Sequence, residues 1–303
     1  MRADTYLYPH STTLAGIILS AEKAGRDAGC HKRVQLGHEG DLMQAISVCD
    51  PLVAQALEGP LTARSLHLVR SDGDITSLPL LVALPEDPFN DGLVHLPECV
   101  CPVEGIVLGT KSLISGVHTP PLRMFLTTVF QRRDVFDRFW TMPASAKHHH
   151  ATPGGLAAHS FEVADDLACH NGLTDLELDL GIAGALLHDI GKVWSYTHDM
   201  FLNAAALAMG HELVGLSRLE PELVCLESTW PDGAYAMRCL LSGQSRPREN
   251  GSLPSSLLPR IKACDQRSCE RERVSHGKGR YSRPVWTPSA WRDQLPHGDM
   301  GVP

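Results

Sequence analysis

The chain has 303 residues, 43% hydrophobic and 20% charged, an ordinary folded-protein composition with room for one large domain or two modest ones. A formal net charge of -8 argues against a protein that coats nucleic acid non-specifically, and there is no run of about 18 apolar residues to span a membrane. The start, Met1-Arg2-Ala3-Asp4, lacks a basic region followed by an apolar core, and the nine cysteines form no Cys-x-x-Cys pair, so reduced thiols in a cytoplasmic protein are expected.

Residues 1–117 read as a small α+β module of unassigned role. Asp41 to Leu57 has helical spacing at Leu42, Ala45, Ile46 and Val53, broken at Pro51. Ser65–Val69 and Leu80–Leu84 read as strands, the second bounded by Pro79 and Pro85, with Asp72-Gly73-Asp74 as a hairpin turn between them. Cys99-Val100-Cys101 reads as two strand cysteines beside Pro102, with a metal or redox pair as the alternative. Gly105 to Lys111 ends in Gly109-Thr110-Lys111, which fails the spacing of a phosphate loop.

Residues 118–275 turn helical. Leu122, Phe125, Leu126, Val129, Phe130 and Phe136 recur largely at three- and four-residue intervals. A loop with His148-His149-His150 is broken by Pro153-Gly154-Gly155, and a helix from Gly155 to about His170 stops at Asn171-Gly172. Further helices are expected at Leu176–Leu187, Asn203–Leu219, Ala234–Leu241 and Ser255–Arg273. Residues 276–303, rich in Gly, Ser, Pro and Arg, read as an extended or disordered tail. Between Arg246 and Arg283 ten Lys/Arg stand against four Asp/Glu, reversing the global sign. Such a stretch suits a phosphate backbone, or simply a solvated helix and tail.

The chemistry centres on His188-Asp189, an imidazole and a carboxylate side by side at the end of an apolar helix. Mixed N/O donors suit Mg, Mn, Fe or Zn. In Leu186 to Lys192 (LLHDIGK), Lys192 falls one turn beyond the pair, placed to hold a phosphate oxygen. His159 shares a stripe with Leu156, Val163 and Leu167; His188 shares one with Leu180 and Gly184; Asp265 follows Leu258 and Ile261. Taken singly, an inward His is an ordinary hydrogen-bonded core residue, and an Asp at a helix end is a cap or ion-pair partner. An inward Asp nonetheless needs a partner or a cation, and together these stripes bring His159, His188, Asp189 and Asp265 to one interior point.

The order His159, His188-Asp189, Asp265 resembles the H…HD…D pattern of the HD-domain superfamily of metal-dependent phosphohydrolases, in which the four residues bind metal. Ile261-Lys262-Ala263-Cys264-Asp265 looks like that family's closing helix, with Cys264 inserted between Ala and Asp. A narrower resemblance lies in Phe139 to Ser145 and His149-His150-Ala151, followed by Gly154-Gly155-Leu156-Ala157-Ala158-His159-Ser160. These look like the branch holding TraI-type HD relaxase domains and HD-domain 3′-to-5′ exoribonucleases. The match covers residues 118 to 270; His148 is extra to it. The resemblance implies a mostly α fold, an HD-type helical bundle preceded by the α+β module, holding one or two divalent ions.

Gly210-His211-Glu212 resembles a Gly-His step of the exoribonuclease branch, so His211 is a candidate ligand, or alternatively a satisfied core histidine on a helix apolar nearly all round. Where that branch has histidines, this chain has Ser242-Gly243-Gln244, which weakens the case for a complete two-metal site. Hydrolysis of a phosphodiester is the expected reaction, the ion lowering the pKa of water and neutralising phosphoryl charge. Lys192 holds the phosphate, and His149 or His150 orients substrate or protonates the leaving oxygen. Three readings follow: a nuclease on single-stranded DNA or RNA, a nucleotide phosphohydrolase, and a non-catalytic HD module for docking or regulation. Oligomeric state is left open.

Overall fold

The computed structural model describes residues 10–23, 31–48, 50–70, 78–86, 91–146, 149–243 and 257–275. The chain divides into two compact units, one of Met1–Val100 with Phe130–Arg133, the other of Cys101–Val129 with Asp134–Pro303. The Asp72-Gly73-Asp74 turn, Gln244, the tail and much of the basic stretch lie outside the described residues.

In the first unit the order is β1 (His10–Lys23), β2 (His31–His38), β3 (Asp41–Val48), α1 (Pro51–Glu58), β4 (Arg64–Arg70) and β5 (Leu80–Glu86), followed by two short 3-10 turns at Gly92–His95 and Glu98–Val100. The strands close into a barrel in the order β1-β2-β3-β5-β4. Neighbours are antiparallel except β3 and β5, which meet in parallel at Ile46 and Leu80. Asp41–Val48 is thus a strand, not the helix its apolar spacing predicts. Ala45 and Ser47 alternate inward, a period of two that the three- and four-residue spacings had masked. The helix begins only after Asp50, whose carboxylate accepts from the Leu52 amide at 2.9 Å and the Ala83 amide at 3.0 Å, tying α1 to β5. Val34, Leu36, Leu66 and Leu81, together with Val53 and Ala56 of α1, form the core. Arg133 belongs to this unit because its guanidinium donates to the carbonyls of Leu19 (2.8 Å), Ile18 (3.0 Å) and Ala56 (2.8 Å). Cys99 and Cys101 are not strand residues: Cys99 is exposed in the second 3-10 turn and Cys101 is buried just after it.

The second unit is helical: α2 (Ile106–Gly116), α3 (Pro120–Gln131) up to Val129, α4 (Arg133–Phe139) from Asp134, α5 (Gly155–Ala168), α6 (Asp175–Leu187), α7 (Lys192–Ser195), α8 (Ala204–Arg218), α9 (Glu220–Thr229), α10 (Pro231–Leu241) and α11 (Leu257–Ser275). Its start at Cys101 precedes the boundary expected at 117/118, because α2, with Ile106, Val107 and Ile114 buried, packs on α5 and α6. Helix α6 is the centre: every residue from Asp179 to Leu187 is buried, and α5, α10 and α11 surround it. It starts in a capping box between Thr174 and Glu177. Helices α2, α7 and α9 are not among those the sequence predicts. Among the described residues no helix is long and apolar enough to cross a membrane.

Candidate metal centre

Four segments of the helical unit deliver the candidate ligands. His159 sits mid-way along α5 on the stripe with Leu156, Val163 and Leu167, all fully buried. His188 caps α6 and Asp189 follows in the tight turn before α7. Asp265 projects from α11. His159 Nε2 lies 3.1 Å from Asp265 Oδ1 and 3.6 Å from Asp189 Oδ2, and His188 Nε2 lies 3.4 Å from the same Asp189 oxygen. Donor atoms of His159, His188 and Asp265 all fall within 4.8 Å of one another.

Hydrogen bonds on the far side of each ring fix which nitrogen faces this point. Ser268 Oγ donates its single proton to Glu162 Oε2 at 2.6 Å, so its oxygen can only accept from His159 Nδ1, 3.0 Å away. His188 Nδ1 likewise donates to the Ala185 carbonyl at 2.7 Å. His159 Nε2 therefore turns a lone pair inward, while His188 Nε2 presents a site that a proton or a cation can occupy, and both atoms are buried without a hydrogen-bond partner. A neutral His159 then faces a carboxylate oxygen at 3.1 Å, lone pair against lone pair, an arrangement that a cation relieves. Burial holds His159 below its usual value, outweighing the upward pull of the Asp265 carboxylate beside it, so the ring favours the neutral, ligating form. The donor set fits a divalent ion.

The charges around it are arranged to match. Burial works against Asp189, but the Lys192 ammonium and His188 overcome this and hold its carboxyl well below the usual range. Asp265 is also lowered, burial being outweighed by the neighbouring His159 and His188. His188 is raised, Asp189 outweighing its burial, so a bound cation displaces a proton there. Lys192, expected to face a phosphate, is buried with Nζ 2.6 Å from Asp189 Oδ2. Its charge is committed to the carboxylate.

His211 is not buried as its apolar helix suggested. Its side chain is 29% exposed, and Leu207 and Met209 beside it face solvent. The helix breaks at Gly210 (φ 82°, ψ 158°), which turns His211 back so that Nε2 sits 2.9 Å from Asp189 Oδ1. It orients Asp189 and stands outside the His159–His188–Asp265 group. Gly191 makes this possible: a Cβ there would stand 1.8 Å from the His211 carbonyl oxygen.

The upstream histidines also converge. A Cβ on Gly155 would strike the His150 carbonyl oxygen at 2.0 Å, so the glycine lets the loop lie against α5. The rings of His149 and His150 stand 5.2 and 5.0 Å from that of His159. Nε2 of His150 lies 3.2 Å from Glu162 Oε1. Burial, then the neighbouring His159 and Lys192, pushes His149 down to about 4, which leaves it neutral at pH 7 and unsuited to donate a proton as a cation.

Three participants escaped the sequence reading: Glu162, Ser268 and Cys269. Each lies three or four residues from a candidate ligand on the same helix, His159 for the first and Asp265 for the others, so the helical repeat carried the signal. Burial, then Asp265, pushes the Cys269 thiol up to about 12. A separate group, Asp166, His170 and Cys264, is already filled by Arg267, which bonds them at 2.8, 2.9 and 3.1 Å. It is a clasp joining α11 to the end of α5.

No protein-family model matches the chain, and no curated protein matches it.

Proposed function

We propose that the helical unit is an HD-type metal-dependent phosphodiester hydrolase acting on single-stranded nucleic acid. The observation that carries this is the pair of inward, unpartnered Nε2 atoms of His159 and His188 beside Asp265 and Asp189. A divalent ion held there would supply a lowered pKa for water and neutralise charge on the phosphoryl oxygens. His159, His188, Asp189 and Asp265 would hold it, while Lys192 and His211 brace Asp189. Glu162 and Ser268 keep the His159 lone pair inward, and His149 offers a neutral ring nitrogen to the same space.

The barrel supports the choice of nucleic acid. Its strand order, with a helix between β3 and β4 and a parallel β3–β5 closure, is the connectivity of an OB fold, a barrel whose β2–β3 face and adjoining loops bind oligonucleotides in other proteins. Exposed Lys32 and Arg33 on β2 suit a phosphate backbone.

The test is cleavage of end-labelled single-stranded RNA and DNA by the metal-free protein resupplied with Mg, Mn, Fe(II) or Zn in turn. Metal-dependent shortening that is absent in Asp189→Ala supports the reading. Nucleotide turnover without polymer cleavage would replace it with a nucleotide phosphohydrolase. Absence of both with any metal would leave a docking or regulatory module.

A further inference from the structure

We propose that Cys269 is a thiolate ligand of this centre, so that the site takes a borderline ion such as zinc, iron(II) or cobalt(II) in preference to magnesium. The inference rests on the metal-centre reading and deepens it by naming the class of ion. Cys269 follows Asp265 by one turn of α11. Its Sγ lies 3.5 Å from Asp265 Oδ1, and that same oxygen lies 3.1 Å from His159 Nε2. Neighbouring donors around one tetrahedral zinc, with N or O at about 2.0–2.1 Å and S at about 2.3 Å, stand roughly 3.3–3.6 Å apart. The sulfur therefore stands from Asp265 at the spacing of neighbouring donors on one ion.

Two further observations point the same way. Donor atoms of His149, His159 and Cys269 all lie within 4.8 Å of one another. His159 is fully buried, and its Nε2, without a hydrogen-bond partner, faces Asp265 Oδ1, the oxygen that Cys269 also approaches. The other thiol of this helix turn, Cys264, is engaged by Arg267 in the clasp with Asp166. Imidazole nitrogens, a carboxylate and a thiolate together form a donor set that zinc or iron(II) accepts and magnesium does not. On binding, the Cys269 S–H bond breaks, a sulfur–metal bond forms and the proton passes to buffer.

Cobalt(II) titrated into the metal-free full-length chain reads this directly. The wild type is expected to show visible d–d bands together with a near-ultraviolet sulfur-to-cobalt charge-transfer band, and Cys269→Ser is expected to lose the second and keep the first. Visible bands without charge transfer in the wild type, or a charge-transfer band that survives in Cys269→Ser, would overturn this inference alone. No cobalt bands at all would overturn it together with the metal centre. Should Cys269→Ser fail to fold, X-ray absorption of the zinc-loaded wild type decides: a sulfur neighbour at about 2.3 Å is expected, and a shell of N and O alone contradicts it.

Discussion

His159 Nε2 and Asp265 Oδ1 stand 3.1 Å apart, and the only hydrogen of a neutral His159 ring is already directed at Ser268 on the opposite side. Two helices far apart in sequence are thus packed so as to hold two acceptors face to face. That relationship, with His188 Nε2 3.4 Å from Asp189 as a second position where a cation can replace a proton, is the physical basis of the proposed metal centre.

Ser268 is the group that sets the His159 tautomer. Ser268→Ala should lower metal affinity by about 10- to 100-fold, the usual effect of losing an outer hydrogen-bond partner of a ligating histidine. Nitrogen NMR of the imidazoles should show His159 protonated at Nδ1 in the wild type and a tautomer mixture in the variant. Unchanged affinity would remove Glu162 and Ser268 from the site.

Lys192 compensates a buried carboxylate. Lys192→Met should destabilise the metal-free protein by about 3–5 kcal/mol, since breaking one side of a buried pair leaves the other charge uncompensated. Added metal should recover part of the loss. Urea unfolding with and without chelator measures both, and equal destabilisation in the two conditions would contradict the assignment.

The carboxylates and the histidines set the pH dependence together. Asp189 and Asp265 are depressed when folded, so their contribution is present above the unfolded carboxyl value of about 3.9 and is lost as pH falls through the lower folded values. His188 is raised, so its contribution is full below about 6.5 and is lost as pH rises through the higher folded value. His149 and His159 are lowered when folded, so each costs stability as pH falls below about 6.5. The metal-free protein should therefore be most stable near about pH 6.5 and lose stability on the acid side. Urea midpoints across pH in chelator check this, and stability that keeps rising above neutrality would count against the raised His188.

Gly191 admits the His211 carbonyl oxygen where a Cβ would stand 1.8 Å away. Gly191→Ala should destabilise the fold by roughly 3 kcal/mol through backbone overpacking and release His211 from Asp189. A thermal melt reads the first effect. A melting point equal to the wild type's would show that the approach is looser than described.

If β2 of the barrel tracks a phosphate backbone, Lys32→Ala combined with Arg33→Ala should weaken single-strand binding and reduce the magnitude of the slope of log affinity against log salt by about 1.4, or about 0.7 per lost contact. Fluorescence anisotropy at several salt concentrations tests it. An unchanged slope would exclude this strand from the interface.

The site was more legible in the sequence than the first unit's fold. His159, His188 and Asp265 lie on stripes whose apolar partners bury as the helical repeat requires, and the glycine pairs mark where the backbone closes in. The barrel was obscured because Leu42, Ala45 and Ile46 satisfy a helical spacing while the alternation of Ala45 and Ser47 is set by pairing with β2, a long-range fact. His211 was misjudged because the Gly210 kink rotates it off the stripe that its neighbours define.

The most direct measurement is elemental analysis of full-length protein purified without chelator, set beside Asp189→Ala prepared in the same way. The account predicts a bound divalent metal that survives gel filtration in the wild type and is lost in Asp189→Ala. Equal metal content in the two proteins, or none in either, would contradict the centre built from His159, His188, Asp189 and Asp265.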